Sequence, residues 1–187
     1  VDALKEKDSK KVLTLFSSGF LERTNIETID SNFTEAGFFI RNNTFRYLDR
    51  FYILNPYRDN YDTILSGRGD YRYILHNHYG NEEMFISLIL VKFFQDDILL
   101  TLNYGKYEKG WKLDNLHFGI INIIGRNAVD YFYEARSYAD SGFMIDASNA
   151  MYLAMQCLTP SGTFFQYLLE DDIFLLRDRI SMEVGKL

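Results

Sequence analysis

From Tyr71 to Ile124 apolar and polar positions follow a period of about two, broken by short polar stretches, and this pattern predicts antiparallel strands in series. The expected strands are Tyr71 to Tyr79, Met84 to Gln95, Ile98 to Tyr107 and Trp111 to Ile124. Gly80-Asn81-Glu82, Asp96-Asp97 and Glu108-Lys109-Gly110 join them as turns of hairpin type. In the last strand, alternation puts Trp111, Leu113, Asn115 and His117 on one face, and Lys112, Asp114, Leu116 and Phe118 on the other. Neither face is cleanly polar. Such a sheet packs helices on one side and offers the other to a pocket or an interface.

The flanking segments read differently. Val1 to Glu22 reads as helix with a break near Asp8-Ser9 and an apolar stripe at Val12, Leu13, Leu15 and Phe16. Asn25 to Ala36 reads as a short helix closed by Gly37. Between Phe38 and Arg58 the aromatics Phe45, Tyr47, Phe51 and Tyr52 keep no regular spacing, and Asn55-Pro56 and Ser66-Gly67-Arg68-Gly69 mark loops. After Gly125 the period becomes about 3.6. Helices are expected at Asn127 to Ala139, at Ala147 to Leu158 with Pro160 as the stop, and at Thr163 to Val184 with a bend near Glu170-Asp171-Asp172. The fold class is α+β: N-terminal helices packed on an antiparallel sheet, followed by a C-terminal helical hairpin and a third helix.

Within that hairpin Ala135, Ala147 and Ala154 stand 12 and 7 residues apart, with Tyr131 four residues before the first and Tyr138 three after it. Small residues at these offsets let two antiparallel helices approach closely while aromatics fill the groove. The stretch from Tyr131 to Pro160 resembles one tetratricopeptide repeat. Ala135 replaces the glycine favoured in the first helix, the proline falls one residue late, and no second copy adjoins it. A single hairpin of this kind is expected to pack as an appendage, because a peptide-binding superhelix needs about three stacked copies.

The order of helices followed by long strands, the last opening Gly110-Trp111-Lys112-Leu113, resembles the nuclear transport factor 2-like superfamily over residues 1–124, with Leu4-Lys5-Glu6-Lys7-Asp8 as the usual kind of opening helix end. A cystatin-like sheet shares much of this pattern. The resemblance implies a curved sheet wrapped around N-terminal helices as a cone with an open mouth, and a division into an α+β domain at 1–124 and a helical extension at 125–187. With its helical hairpin the whole chain is similar to uncharacterised bacterial envelope proteins, which implies a periplasmic or lipid-anchored location.

Composition narrows the choices. The 187 residues carry 20 basic and 26 acidic side chains, a net charge of -6 and a pI near 5.1, so the overall field repels a nucleic-acid backbone. Lys5, Lys7, Lys10 and Lys11 form the one basic group, and Glu6 and Asp8 interrupt it as on a solvated helix face. The mean hydropathy of -0.19 comes with no apolar run long enough to cross a bilayer. Cys157, alone and surrounded by Tyr152, Met155 and Leu158, reads as a buried hydrophobe rather than a nucleophile. The first residue is Val1, and a processed precursor or a trimmed chain is the expectation that follows. Asn32 and Asn42 head Asn-x-Thr sequons, which act only in a eukaryotic secretory setting.

Candidate chemistry is sparse. No P-loop, Rossmann glycine set, paired nucleophile and base, or zinc spacing is present, and no cofactor is expected. Gly67-Arg68-Gly69 is too short to cradle a phosphate. The superfamily resemblance implies, as one option, an isomerase or lyase that uses the cone. Such an enzyme needs a base, for which Asp114 or His117 qualifies, and a donor for the oxyanion, for which Tyr73 or Tyr104 qualifies. Strand alternation opposes this set, since Asp114 faces away if Trp111 points into the cone. His76 and His78 share a strand face and could begin a metal site with Glu82, Glu83 or His117, but two visible ligands fall short of the three or four required. Fourteen tyrosines and 16 phenylalanines exceed what the strands demand, so Tyr57, Tyr61 and Tyr71 near the loops are candidates for contact. The reading that follows is a non-enzymatic module binding a small molecule, glycan or protein, with Trp111, His117 and Tyr73 as its binding residues. A scaffold acting through the helical hairpin is the third option.

Overall fold

A computed structural model of the chain describes residues 13–25, 44–56 and 60–186. The expectations placed on Lys5 to Lys11, on the helix Asn25 to Ala36, on the sequons at Asn32 and Asn42, and on Tyr57 lie outside these residues. The described chain is α+β, with two antiparallel sheets and four helices. A short helix α1 (Ser18–Arg23) precedes β1 (Phe45–Leu54), β2 (Asn60–Ser66), β3 (Tyr73–Tyr79), β4 (Glu83–Phe93), β5 (Asp96–Tyr107) and β6 (Gly110–Asn122). Helices α2 (Ala128–Asp140) and α3 (Met144–Gln156) follow, then β7 (Phe165–Tyr167) and α4 (Glu170–Val184). The chain divides into two compact units, the first from Val1–Asp62, His78–Phe94 and Ile98–Phe118, the second from Thr63–Asn77, Gln95–Asp97 and Gly119–Leu187.

The first unit is built on a sheet of order β1-β4-β5-β6. Its central strand β4 is buried on both faces from Ile86 to Val91, the condition under which a strand reads as a continuous apolar run instead of an alternating one. One face carries a cluster in which Phe16 and Phe20 lie on Ile89, Val91, Leu100, Leu102 and Leu113. The two phenylalanine rings stack with centroids 4.5 Å apart. Each such side chain, once buried, stabilises the fold by about 1.5–3 kcal/mol. Leu116 and Phe118 pack against the same cluster as Leu113. The single-phase alternation expected along β6 is therefore broken between Leu113 and Leu116.

The strand at Phe45–Leu54 is absent from the sequence reading, and its pairing explains the irregular spacing there. It runs antiparallel to β4, with a register shift between Tyr47 and Asp49. A bulge adds a residue to one strand and resets which side chains face which way. Tyr47, Arg50 and Tyr52 accordingly stand opposite Ile89, Ser87 and Phe85, on the face that carries the core cluster.

The N-terminal helix also departs from expectation. Leu15 accepts from the Leu113 backbone N–H at 2.7 Å, and the Ser17 N–H donates back to the Leu113 carbonyl at 3.1 Å, so Phe16 extends the edge of β6 rather than continuing a helical stripe. Helix α1 starts after it, capped by the Ser17 hydroxyl, which accepts from the Phe20 N–H at 3.2 Å.

The second unit holds the sheet of order β2-β3-β7 together with α2, α3 and α4. Two further expectations are corrected here. β3 pairs with β7, Tyr73 opposite Tyr167 and Leu75 opposite Phe165, so Gly80-Asn81-Glu82 joins strands of different sheets instead of closing a hairpin. The segment from Thr163 to Val184 is not one helix: Phe165–Tyr167 is a strand, held by Tyr73 stacked on Phe165 at 4.5 Å, and helix begins at Glu170. Its first turn collects Glu170, Asp171 and Asp172, where negative charge favours a helix start. The turn expected at Asp96-Asp97 falls at Phe94-Gln95 instead. Both aspartates accept hydrogen bonds inside this unit, Asp96 from the Ile124 N–H at 2.8 Å and Asp97 from Asn122 at 2.7 Å.

Helices α2 and α3 pack on each other, and Ala135, Ala147 and Ala154 are fully buried. Gly142, at φ +82°, closes α2 in the left-handed region that a glycine enters without strain. Asn127 and Asp130 cap its start reciprocally. Tyr71 donates to Asp130 at 2.8 Å and Tyr133 to Asp70 at 2.7 Å, and these crossed bonds tie the turn at residues 69–71 to α2.

Candidate functional site

On the face of the four-stranded sheet that α1 covers at one end, a cavity of about 450 Å³ lies at the other. Its floor is Ser87 and Ile89 of β4 with Leu102 of β5, all buried. Phe85 and Tyr104 form its walls. Tyr47, Arg50 and Trp111 form its exposed rim. A volume in this range and an aromatic and apolar lining with a few polar groups are typical of sites for small organic molecules, which run from about 300 to 1,000 Å³.

Three features give the site its chemistry. The Arg50 guanidinium lies over the Tyr47 ring, 4.5 Å from its centroid, a cation–π contact that fixes the fork in place. Among the described residues no carboxylate pairs with that guanidinium. Ser87 stands directly across the ladder from Arg50, is only 4% exposed, and its buried Oγ has no hydrogen-bond partner among the described residues. Burial, and less strongly the neighbouring Tyr47, raises the Tyr104 pKa, so the phenol stays protonated as a donor.

Beyond the rim, Trp111 meets Tyr52 edge-on with centroids 6.3 Å apart. The Tyr52 hydroxyl donates to Glu83 at 2.5 Å, and Lys106 pairs with the other oxygen of the same carboxylate. The Lys106 hydrogen bond first and that of Tyr52 second hold the Glu83 pKa below its ordinary value, while the bond to Glu83 raises those of Tyr52 and Lys106. This exposed trio ends the apolar floor in a charged margin.

The structure brings together only some of the residues singled out from sequence. Trp111 and Tyr104 both line the cavity. Asp114 does not: it accepts from Asn81 at 3.2 Å and from the Tyr107 hydroxyl at 2.7 Å. A Cβ on Gly105 would collide with Asn81 and Asp114, which places this group on the face of β5 away from Tyr104. His117 is half-buried on β6 and does not line the cavity. Tyr73 is 4% exposed in the core of the second unit, stacked on Phe165. Asp114, His117 and Tyr73 therefore do not converge on Tyr104, and among the described residues no Asp, Glu or His lines the cavity.

The histidine pair is divided between partners. His76 shares a hydrogen bond with Gln166 at 2.6 Å, whereas His78 stacks on Tyr61 with centroids 4.3 Å apart. Among the described residues no group of three or more His, Cys, Asp or Glu side chains is placed to hold a metal ion, and no helix is long and apolar enough to cross a membrane. Of the loop tyrosines, Tyr61 is 77% exposed beside His78, while Tyr71 is engaged with Asp130.

Arg50 and Ser87 are the site residues that sequence reasoning missed. Arg50 sits in a strand whose alternation the bulge disrupts, and Ser87 is a lone polar position inside the apolar run of β4. The available signal was that interruption: a small polar side chain in the middle of a buried strand needs either a partner or a cavity. Comparison of the chain with protein-family models, with curated proteins and with solved structures finds no match.

Proposed function

We propose that this protein is a non-enzymatic binding module of nuclear transport factor 2-like type that holds a small, largely apolar molecule in the cavity on its four-stranded sheet. The observation that carries the reading is the cavity itself, about 450 Å³, with a buried floor, aromatic walls and no Asp, Glu or His among its described lining residues. The arrangement of α1 on one end of a sheet face that carries a cavity at its other end supports the cone-like reading of the first unit. The bacterial-envelope location comes with the family resemblance and rests on it alone. An isomerase or lyase would need a proton acceptor beside Tyr104, and the described residues of the lining include no Asp, Glu or His.

Trp111 is the only tryptophan in the chain and stands at the rim, so its emission reports occupancy directly. N-phenyl-1-naphthylamine, a neutral apolar fluorophore, is expected to quench Trp111 emission saturably with one site per chain. Ser87→Leu, which fills the floor with a side chain that the open volume accepts, is expected to abolish that response while the far-ultraviolet dichroism stays that of the wild type. A saturable signal that survives Ser87→Leu, or none in the wild type, removes the cavity as the binding site.

A further inference from the structure

We infer that the cavity selects a planar aromatic carboxylate, with Arg50 as the residue that recognises its acid group; the inference rests on the ligand-binding reading above. Arg50 stands across the ladder from Ser87, whose Oγ is closed off from the cavity space, so the guanidinium alone meets the acid group. The guanidinium is planar, carries five N–H donors and no acceptor, and matches a carboxylate in bidentate fashion. Its place over the Tyr47 ring holds it ready at the rim, and no described carboxylate competes for it.

The fork offers donors to an acceptor-only group. A phosphate dianion would call for more donors than one guanidinium, and a cation among the same aromatics would meet Arg50 at the rim. The remaining surface, Phe85, Tyr104 and Trp111 above Ile89 and Leu102, suits a flat apolar body. The chain as a whole carries a charge of -6, so its general field does not attract an anion. Selection for one is local to Arg50.

The test is calorimetric titration of naphthalene-2-carboxylate against its neutral isostere naphthalene-2-carboxamide, each also measured by displacement of N-phenyl-1-naphthylamine. The carboxylate is expected to bind more tightly than the amide. Arg50→Met is expected to weaken the carboxylate about 10- to 100-fold and the amide by less than about threefold, since charge-assisted hydrogen bonds are stronger than neutral ones. Arg50→Lys, which keeps the charge but loses the fork, is expected to fall between. Arg50 is exposed, so these substitutions leave the fold in place. Equal affinity for acid and amide, or an Arg50→Met variant that binds the acid as well as the wild type, overturns the inference. If neither naphthalene probe binds while the neutral dye still saturates, the acid specificity falls and the binding-module reading stands. If the dye fails as well, both fall.

Discussion

Cys157 shows how far a single residue's environment can be inferred from its neighbours. Its apolar surroundings in sequence suggested an inert thiol, and the side chain is fully buried. Burial, the largest influence, pushes its pKa up from 9.0 to about 12. Because the folded-state value is raised, the neutral thiol's contribution to stability is complete below the ordinary value and is lost as pH rises through the window from 9.0 to about 12. Iodoacetamide at pH 8 is expected to leave Cys157 unmodified in the native protein over a period that alkylates it fully in guanidinium chloride. Mass spectrometry reads the difference, and rapid alkylation of the native chain would contradict the burial. The candidate acids were less legible at this scale. Asp114 looked available on its strand, but its two oxygens are engaged by Asn81 and Tyr107, partners that come from elsewhere in the chain.

At the scale of elements, legibility followed the range of the signals. Helix α2 was expected from Asn127 and forms at Ala128–Asp140, because its start is written locally. The Asn127 side chain accepts from the Val129 and Asp130 N–H groups at 2.9 and 3.1 Å, while the Asp130 carboxylate accepts from the Asn127 N–H at 3.0 Å. Asn127→Ala removes one half of this box and is expected to lower stability by about 1 kcal/mol. Urea denaturation measures it, and an unchanged midpoint would show that the cap adds nothing to the packed helix. Four strands, β3 to β6, were placed within two residues of their observed starts for a similar reason, since short polar stretches separate their apolar runs. β1 was not, because its bulge interrupts the alternation on which the reading depends. β7 was not either: Phe164, Phe165, Tyr167 and Leu168 together fit near-helical intervals, and pairing with β3, with Phe165 stacked on Tyr73, makes 165–167 a strand.

For the whole molecule, the division of strands between two sheets is the feature with the widest consequences. β3 and β4 adjoin in sequence but belong to different sheets, and β3 takes as a neighbour a three-residue strand from far along the chain. Phe165 is 1% exposed at that junction. Phe165→Ala is expected to destabilise the protein by about 3–5 kcal/mol. In hydrogen exchange, amide protection is expected to fall across Tyr73, Ile74 and Leu75, the strand positions opposite residues 165–167. Loss of stability without that local change in protection would place the role of Phe165 elsewhere.

The sequence by itself determined the α+β class, the helices with local caps and small-residue stripes, the central strands, and the presence of Trp111 and Tyr104 on strands that could face a pocket. Each depends on residues a few positions apart. The tertiary structure alone decided the sheet order, the strand at Phe165–Tyr167, the bulge that turns Arg50 toward Ser87, and the face of β5 on which Gly105 leaves room for Asn81 and Asp114. These depend on which distant segments pair, and a one-residue shift of register reverses every side chain on a strand. The cavity belongs to this second group, because its floor, walls and rim come from four strands whose order no local pattern encodes.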